Sequence, residues 1–373
     1  MKNYILFAFC LFLSLSVNAQ VFSNKEVGKA NQELIDSLKV TDYPYALPIW
    51  GDKATKAGYH LPYSAGISVN YLWQESDILI DNLSVGFNNG PMYNLDNIIR
   101  FNKAQVSSNT LTVRPDIWLF PFLNVYGILG KTSASTEVGM GVWLQNPATG
   151  TETEVTSFES KVDFEATSFG IGMTPTIGVA GGFLALDMNC AWTDVPQLNK
   201  PTFTFVFGPR LGKNFKLNKP DRTIAVWAGG FRVHFKSDTN GSVNLSEVLP
   251  EGDLDEKIQN GITAVNDTQQ QVDAWWNGLT PIEQNSPVNQ AKYNTANQIL
   301  DRAGEFLAAA DTAVNNISNS TVQYSMDKNP KDMWNFIVGS QYQFNKHWMF
   351  RAEAGFLSSR TQFLASLQYR FGL

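Results

Sequence analysis

Segments of about ten residues with an apolar side chain at every second position recur through this chain, and they restrict its fold more than any other feature. "QFLASLQYRFGL" sets Phe363, Ala365, Leu367, Tyr369 and Phe371 against Gln362, Ser366, Gln368 and Arg370. "WNFIVGSQYQF" sets Trp334, Phe336, Val338, Tyr342 and Phe344 against Asn335, Gln341 and Gln343. "WMFRAEAGF", "TFTFVFGPRLG", "AVWAGGFRVHF" and "AGISVNYLW" keep the same beat. In a strand a period of two sends alternate side chains to opposite faces, so each segment has one apolar and one mixed face. The apolar faces carry Phe, Trp and Tyr near their ends, where an interfacial girdle sits. The other faces carry Arg, Gln, Asn and Gly, which suit a wet lumen and not the interior of a soluble β-sandwich.

Six further segments fit this spacing: Ile78–Phe87, Ile98–Val106, Leu111–Trp118, Asn124–Ala134, Phe169–Ile177 and Phe183–Trp192. The expected fold is all-β, a transmembrane antiparallel barrel of about 12 strands. Ile98–Val106 alternates least, so ten and fourteen strands stay open.

The amino terminus predicts export. Lys2 precedes an apolar stretch from Tyr4 to Val17, and "VNA" places signal cleavage after Ala19. Cys10 falls inside that stretch, which leaves Cys190 alone in the mature chain and excludes an internal disulfide. No later run reaches the roughly 18 apolar residues of a spanning helix. A net charge of -6 and a mean hydropathy of -0.17 fit an alternating barrel and give no support to a nucleic-acid partner.

Two long connections are expected, Thr136–Val162 and Ser237–Asp332. Four strands separate them, so they share a side; short links at 179–182 and 345–346 lie on the other. Barrels of this kind have short periplasmic turns, which puts both long connections outside the cell. The organisation expected is a signal peptide at 1–19, a periplasmic segment at 20–63, the barrel at 64–373 and a helical insertion at 237–332. In the periplasmic segment Ser23 and Glu26 cap a short helix, followed by an extended stretch rich in Pro and aromatics. The insertion spaces Leu254, Ile258, Ile262, Val265, Val272 and Trp276 at helical intervals. Thr280, Pro281 and Glu283 form a capping signature, and a second stripe runs from Ala296 to Val314, which together read as a helical hairpin. The insertion holds fourteen acidic and five basic residues, so it is more acidic than the chain as a whole.

The chain offers little for catalysis. His60, His234 and His347 lack metal-ligand spacing, and the glycines of "GIGMTPTIGVAGG" lack the lysine of a phosphate loop. No catalytic residue, metal site or cofactor is expected, and the protein is not read as an enzyme. Cys190 shares an apolar face and is expected to be inert. The predicted lumen faces carry Arg100, Arg114, Arg210, Arg232, Arg351 and Arg370, with His234 and fewer acids, Asp116, Asp187 and Glu353. These charges either pair across the lumen or form an anion-favouring passage.

In its signal peptide, its strand series and its terminal "LASLQYRFGL", the chain resembles Gram-negative outer-membrane β-barrel proteins. "PDIWLFPFLNVYGILG" is similar to a strand–turn–strand of uncharacterised porin-like and transporter-like members. The resemblance implies the cell outer membrane, with outer-membrane lipid and the barrel-assembly machinery as partners. That machinery reads an aromatic at the end of the last strand; here Gly372 and Leu373 follow Phe371. It implies no particular substrate. The expected function is passage or binding of a small solute, an anion if the arginines set the preference. The alternative is a surface-exposed binding or structural barrel with a closed lumen, and an outer-membrane enzyme ranks third.

Overall fold

The alternating segments form strands in the computed structural model, which describes residues 28–145, 150, 152–196, 198, 200–235, 237–248 and 254–373. The predicted signal peptide, its cleavage after Ala19 and the expected helix cap at Ser23 and Glu26 lie outside these residues. The barrel strands are β1 (Ala65–Phe87), β3 (Ile99–Phe120), β4 (Leu123–Gln145), β5 (Glu152–Val179), β6 (Gly182–Asp194), β7 (Thr202–Lys216), β8 (Thr223–Phe235), β11 (Trp334–Gln343), β12 (Trp348–Phe356) and β13 (Arg360–Phe371). Each pairs antiparallel with the next, and β13 closes the ring on β1 from Ala65 opposite Phe371 to Ser76 opposite Arg360. Within the ring, closure leaves no edge strand among the described residues.

The ring has ten strands, not twelve. Two pairs of expected strands are each one long strand: 65–73 and 78–87 are both β1, and 98–106 and 111–118 are both β3. The expected loop 136–162 is likewise mostly strand. β4 and β5 stay paired from Leu123 opposite Pro175 as far as Gln145 opposite Glu152. Strands of 22 to 28 residues exceed the roughly 9–11 needed to cross a bilayer, so the sheet extends well beyond the membrane. Sequence alternation does not mark where a strand leaves lipid, which is why one strand read as two.

Outward residues form an exposed apolar belt that includes Ile67, Leu129, Ile171, Leu211, Val338 and Leu367. Trp334, Trp348, Phe356 and Phe371 lie toward its ends. An apolar surface of this extent on a closed ring is what a bilayer covers.

At Asp77 the partner of β1 changes. Below it β1 pairs with β13; above it, from Ile78, β1 pairs with β10 (Thr321–Pro330). β10 in turn pairs with β9 (Ser237–Asn244), and the two-residue β2 (Tyr93–Asn94) pairs with the tip of β1. These strands raise an upper tier on the barrel. Over it lie α4 (Leu254–Gly278) and α6 (Pro287–Val314), linked by the short α5 (Pro281–Gln284), with α3 (Leu245–Val248) beside them. Thr280 and Glu283 cap α5 reciprocally. The helix pair is joined by a stacked Trp276–Tyr293 contact at 4.4 Å and by Gln269–Asn297 at 2.7 Å. Val265 and Val272 of α4 and Leu300, Ala303 and Leu307 of α6 share one buried cluster with Leu95, Ile98, Ile99, Val142 and Leu144 of the tier. The helices therefore complete a core instead of trailing from a loop.

At the opposite end, α1 (Lys29–Val40) and α2 (Gly51–Lys56) precede the barrel. Aromatic residues on either side of α2 pack on the rim, with Tyr45 against Tyr63, Tyr63 against His347 and His347 stacked on Tyr369.

Candidate functional site

Buried charge collects in the half of the barrel nearer the short turns. Arg210 of β7 is its hub. Its Nε and Nη2 donate to Glu353 of β12 at 2.8 and 3.1 Å, and its Nη1 donates to Asp187 of β6 at 3.1 Å. β8 and β11 stand between β7 and β12 in the ring, so the Arg210–Glu353 pair spans the lumen. All three residues are buried, Glu353 to 3% exposure. Such charges are stable only when paired and hydrogen-bonded on their remaining sites. The neighbours supply those bonds. Trp227 Nε1 donates to Glu353 at 2.8 Å, and Arg351 Nη2 donates to the same oxygen at 3.1 Å. On the Asp187 side the Tyr126 hydroxyl and Thr174 Oγ1, at 2.9 Å, bond to the carboxylate. Arg114 lies 3.8 Å from the centroid of the Tyr126 ring, a cation–π contact.

A second layer lies closer to the short-turn rim. Asp116 of β3 and Arg370 of β13 form an ion pair at 2.9 Å. Asn124 and Gln368 donate to Asp116 at 2.8 and 2.5 Å, and Arg370 Nε donates to the Tyr63 carbonyl at 2.9 Å. Below it, α1 crosses the mouth. Asn31 donates to the Leu217 carbonyl at 2.9 Å, and Ile35 is buried. Between α1 and the ion pairs is a cavity of about 340 Å³, lined by Leu34 and Ile35 together with Arg114, Tyr126 and Arg210.

Glycine makes room for the two large inward rings. A Cβ on Gly172 would stand 2.2 Å from the Tyr126 ring, and one on Gly339 would stand 2.5 Å from Trp227. Both glycines sit opposite those residues in the sheet register.

Of the ten residues expected to face the lumen, Arg114, Asp116, Asp187, Arg210, Arg351, Glu353 and Arg370 meet in these two layers. Arg100, Arg232 and His234 do not. Arg100 is exposed and pairs with Glu152 on the outside of the upper tier. A β-bulge between Phe101 and Lys103 inserts Asn102 and inverts the faces of β3 beyond it. Arg232 stands opposite Trp334 and Phe207, and His234 opposite Phe205, all on the apolar outer face. The faces of β8 are the reverse of those expected, because Trp227 turns inward to reach Glu353. Aromatic bulk was the signal that assigned the strand, and here a hydrogen bond outweighs it. The small residues flanking Trp227 in "WAGG" were the available hint. Tyr126 and Asn124 carry no comparable sequence signal.

No family model matches the chain, and no curated protein matches it. Several solved structures are similar in fold. The β-domain of the Bordetella autotransporter BrkA aligns with a TM-score of 0.34 at 8% identity, covering 83% of this chain and 100% of that one. The translocator domain of the autotransporter NalP from Neisseria meningitidis gives 0.31 at 9%, covering 86% and 93%. An outer-membrane channel from Pseudomonas putida F1 gives 0.28 at 8%, covering 84% and 97%. The chain is a closed antiparallel β-barrel with an apolar outer belt. The ring and the belt carry that description, and the likeness to these structures adds nothing to it.

Proposed function

We propose that this outer-membrane barrel has a closed lumen and works by binding, with its upper tier and helix pair on the cell surface and α1 in the periplasm. One observation carries the reading: Arg210 joins Asp187 and Glu353 across the lumen, with every member buried. Passage of an anion along the arginines loses support on the same ground. Arg210 and Arg351 face Asp187 and Glu353, and Arg370 faces Asp116, so three of the four lumen arginines are balanced and the fourth, Arg114, lies against the Tyr126 ring, which leaves little positive potential to attract an anion. The orientation rests on the usual placement of short turns toward the periplasm. No catalytic step belongs to the proposal. His60 Nε2 lies 3.2 Å from Asp221, and His347 Nδ1 bonds to the Arg370 carbonyl at 2.8 Å, which gives both structural work. Assembly into the outer membrane by the barrel-assembly machinery is part of the same reading, supported by the aromatic end of β13.

Planar-bilayer recording of the purified protein tests it. No steady channel is expected from the wild type, and the double variant Arg210→Ala/Glu353→Ala is expected to show conductance steps. Steady, anion-selective conductance by the wild type would restore the passage reading.

A further inference from the structure

A second cavity, also of about 340 Å³, lies in the upper tier beneath α6. Its chemistry is the opposite of the lumen's. Phe101, Met140 and Phe158 line it from the strands, and Leu307 and Ala310 from α6. Lys328 is the one charged side chain among the described residues that line it.

Lys328 ends the inward row Val322, Tyr324, Met326, Lys328 of β10 and stands opposite Ile80 of β1. Its neighbour Asp327 takes the other face and accepts a hydrogen bond from Asn82 at 2.6 Å. Lys331 pairs with Asp77 at 3.3 Å, whereas no described carboxylate pairs with Lys328. Burial alone depresses its pKa. A partly buried ammonium without an anion is unfavourable, and an anion brought to it recovers the missing interaction. Further down the inward side of β1, Ser76 stands opposite Arg360, which is buried to 2% exposure. The Nε and Nη1 of Arg360 have no described partner. Arg360 does not line the cavity and has Asp332 nearby as a counter-charge, so the positive charge at the cavity itself is that of Lys328.

The dimensions narrow the ligand. From Lys328 to Val322 the row runs about 20 Å, the reach of a long acyl chain. The volume is near the lower end of the roughly 300–1,000 Å³ of small-molecule sites, which favours one chain over two. We propose that this cavity binds a long-chain carboxylate, with its headgroup at Lys328 and its chain running up beneath α6. The inference rests on the binding reading above and gives it a ligand class.

The test uses the full-length protein in lipid nanodiscs, because a detergent is itself a single-chain amphiphile. The probe is cis-parinaric acid, titrated by fluorescence against empty nanodiscs and displaced by palmitate or by methyl palmitate. Saturable binding of one probe per barrel is expected. Lys328→Met is expected to weaken palmitate at least tenfold and to leave methyl palmitate within twofold. Ala310→Trp, which fills the cavity, is expected to abolish both. Should that variant not fold, as judged by heat-modifiable migration, Ser160→Phe fills the same space from β5. No saturable binding above empty nanodiscs overturns the inference. So does equal weakening of acid and ester by Lys328→Met, an unchanged palmitate affinity, or binding that survives a filled cavity. Wild-type conductance would overturn the closed lumen and leave these outcomes intact; absent ligand binding would overturn this inference and leave the lumen closed.

Discussion

Arg210 holds two carboxylates at once, so its loss strands both in a buried site. Arg210→Met is expected to destabilise the barrel by about 3–5 kcal/mol, read from the urea midpoint in lipid vesicles. Trp227→Phe keeps the ring and removes one donor to Glu353, and about 1–3 kcal/mol is expected. His60 makes a prediction in pH. Burial pushes its imidazole below the usual pKa, Asp221 pulls it up, and Lys346 and Lys216 push it down again. With the folded value depressed, the unfolded segment takes up the proton first. Stability is thus unaffected above the ordinary histidine pKa and falls as the pH drops through it toward the folded value. Docking of residues 28–63, followed by limited proteolysis, is expected to loosen below about pH 6.5 in the wild type and to lose that dependence in His60→Phe.

At the scale of elements, β7 shows how a strand divides its labour. Arg210 points in and Leu211, 59% exposed, points out. Leu211→Arg puts a charge on the lipid face and is expected to cost about 2–4 kcal/mol near the midplane, while Leu211→Ala costs far less. Equal costs in urea titration would place Leu211 off the lipid face. The helix pair makes a different prediction. α4 and α6 share a buried cluster with β3, β4 and the β2 segment, so they are not separable from the upper tier. Replacing 254–314 by a Gly-Ser linker is expected to leave the ten-strand ring intact, seen as heat-modifiable migration. The same change is expected to expose the outer halves of β4 and β5 to protease, because Val142 and Leu144 lose their cover.

At the scale of the whole molecule, the barrel is layered along its axis. α1 closes one end, two ion-paired layers fill the nearer half, and an apolar tier under two helices forms the other end. Apolar side chains lie where the helices cover them. One consequence is measurable. Deleting residues 28–57 removes α1 and α2 but leaves the ion pairs in place. It is expected to admit a small thiol reagent to a cysteine placed at Thr176, and still to give no steady conductance.

Much of this was legible from periodicity alone. Period-two segments with aromatic ends give the strands, the closed antiparallel fold and the lipid face on β1, β7, β11, β12 and β13, because a strand has only two faces and lipid claims one. Apolar residues at intervals of three and four give α4 and α6 for the same kind of reason. Local sequence also brings seven of the ten expected charges to the inner face. It does not count the strands, because alternation runs unchanged from lipid into the upper tier. It does not orient β8, because Trp227 satisfies both the lipid rule and a bond to a carboxylate 126 residues away. It does not place Arg100, because one extra residue at Asn102 reverses every face beyond it. And it gives no sign that Lys328 belongs to a cavity, since that cavity exists only where β10 replaces β13 beside β1 and α6 folds over both. Faces are set by neighbours in the chain; partners across a lumen are set by closure of the ring.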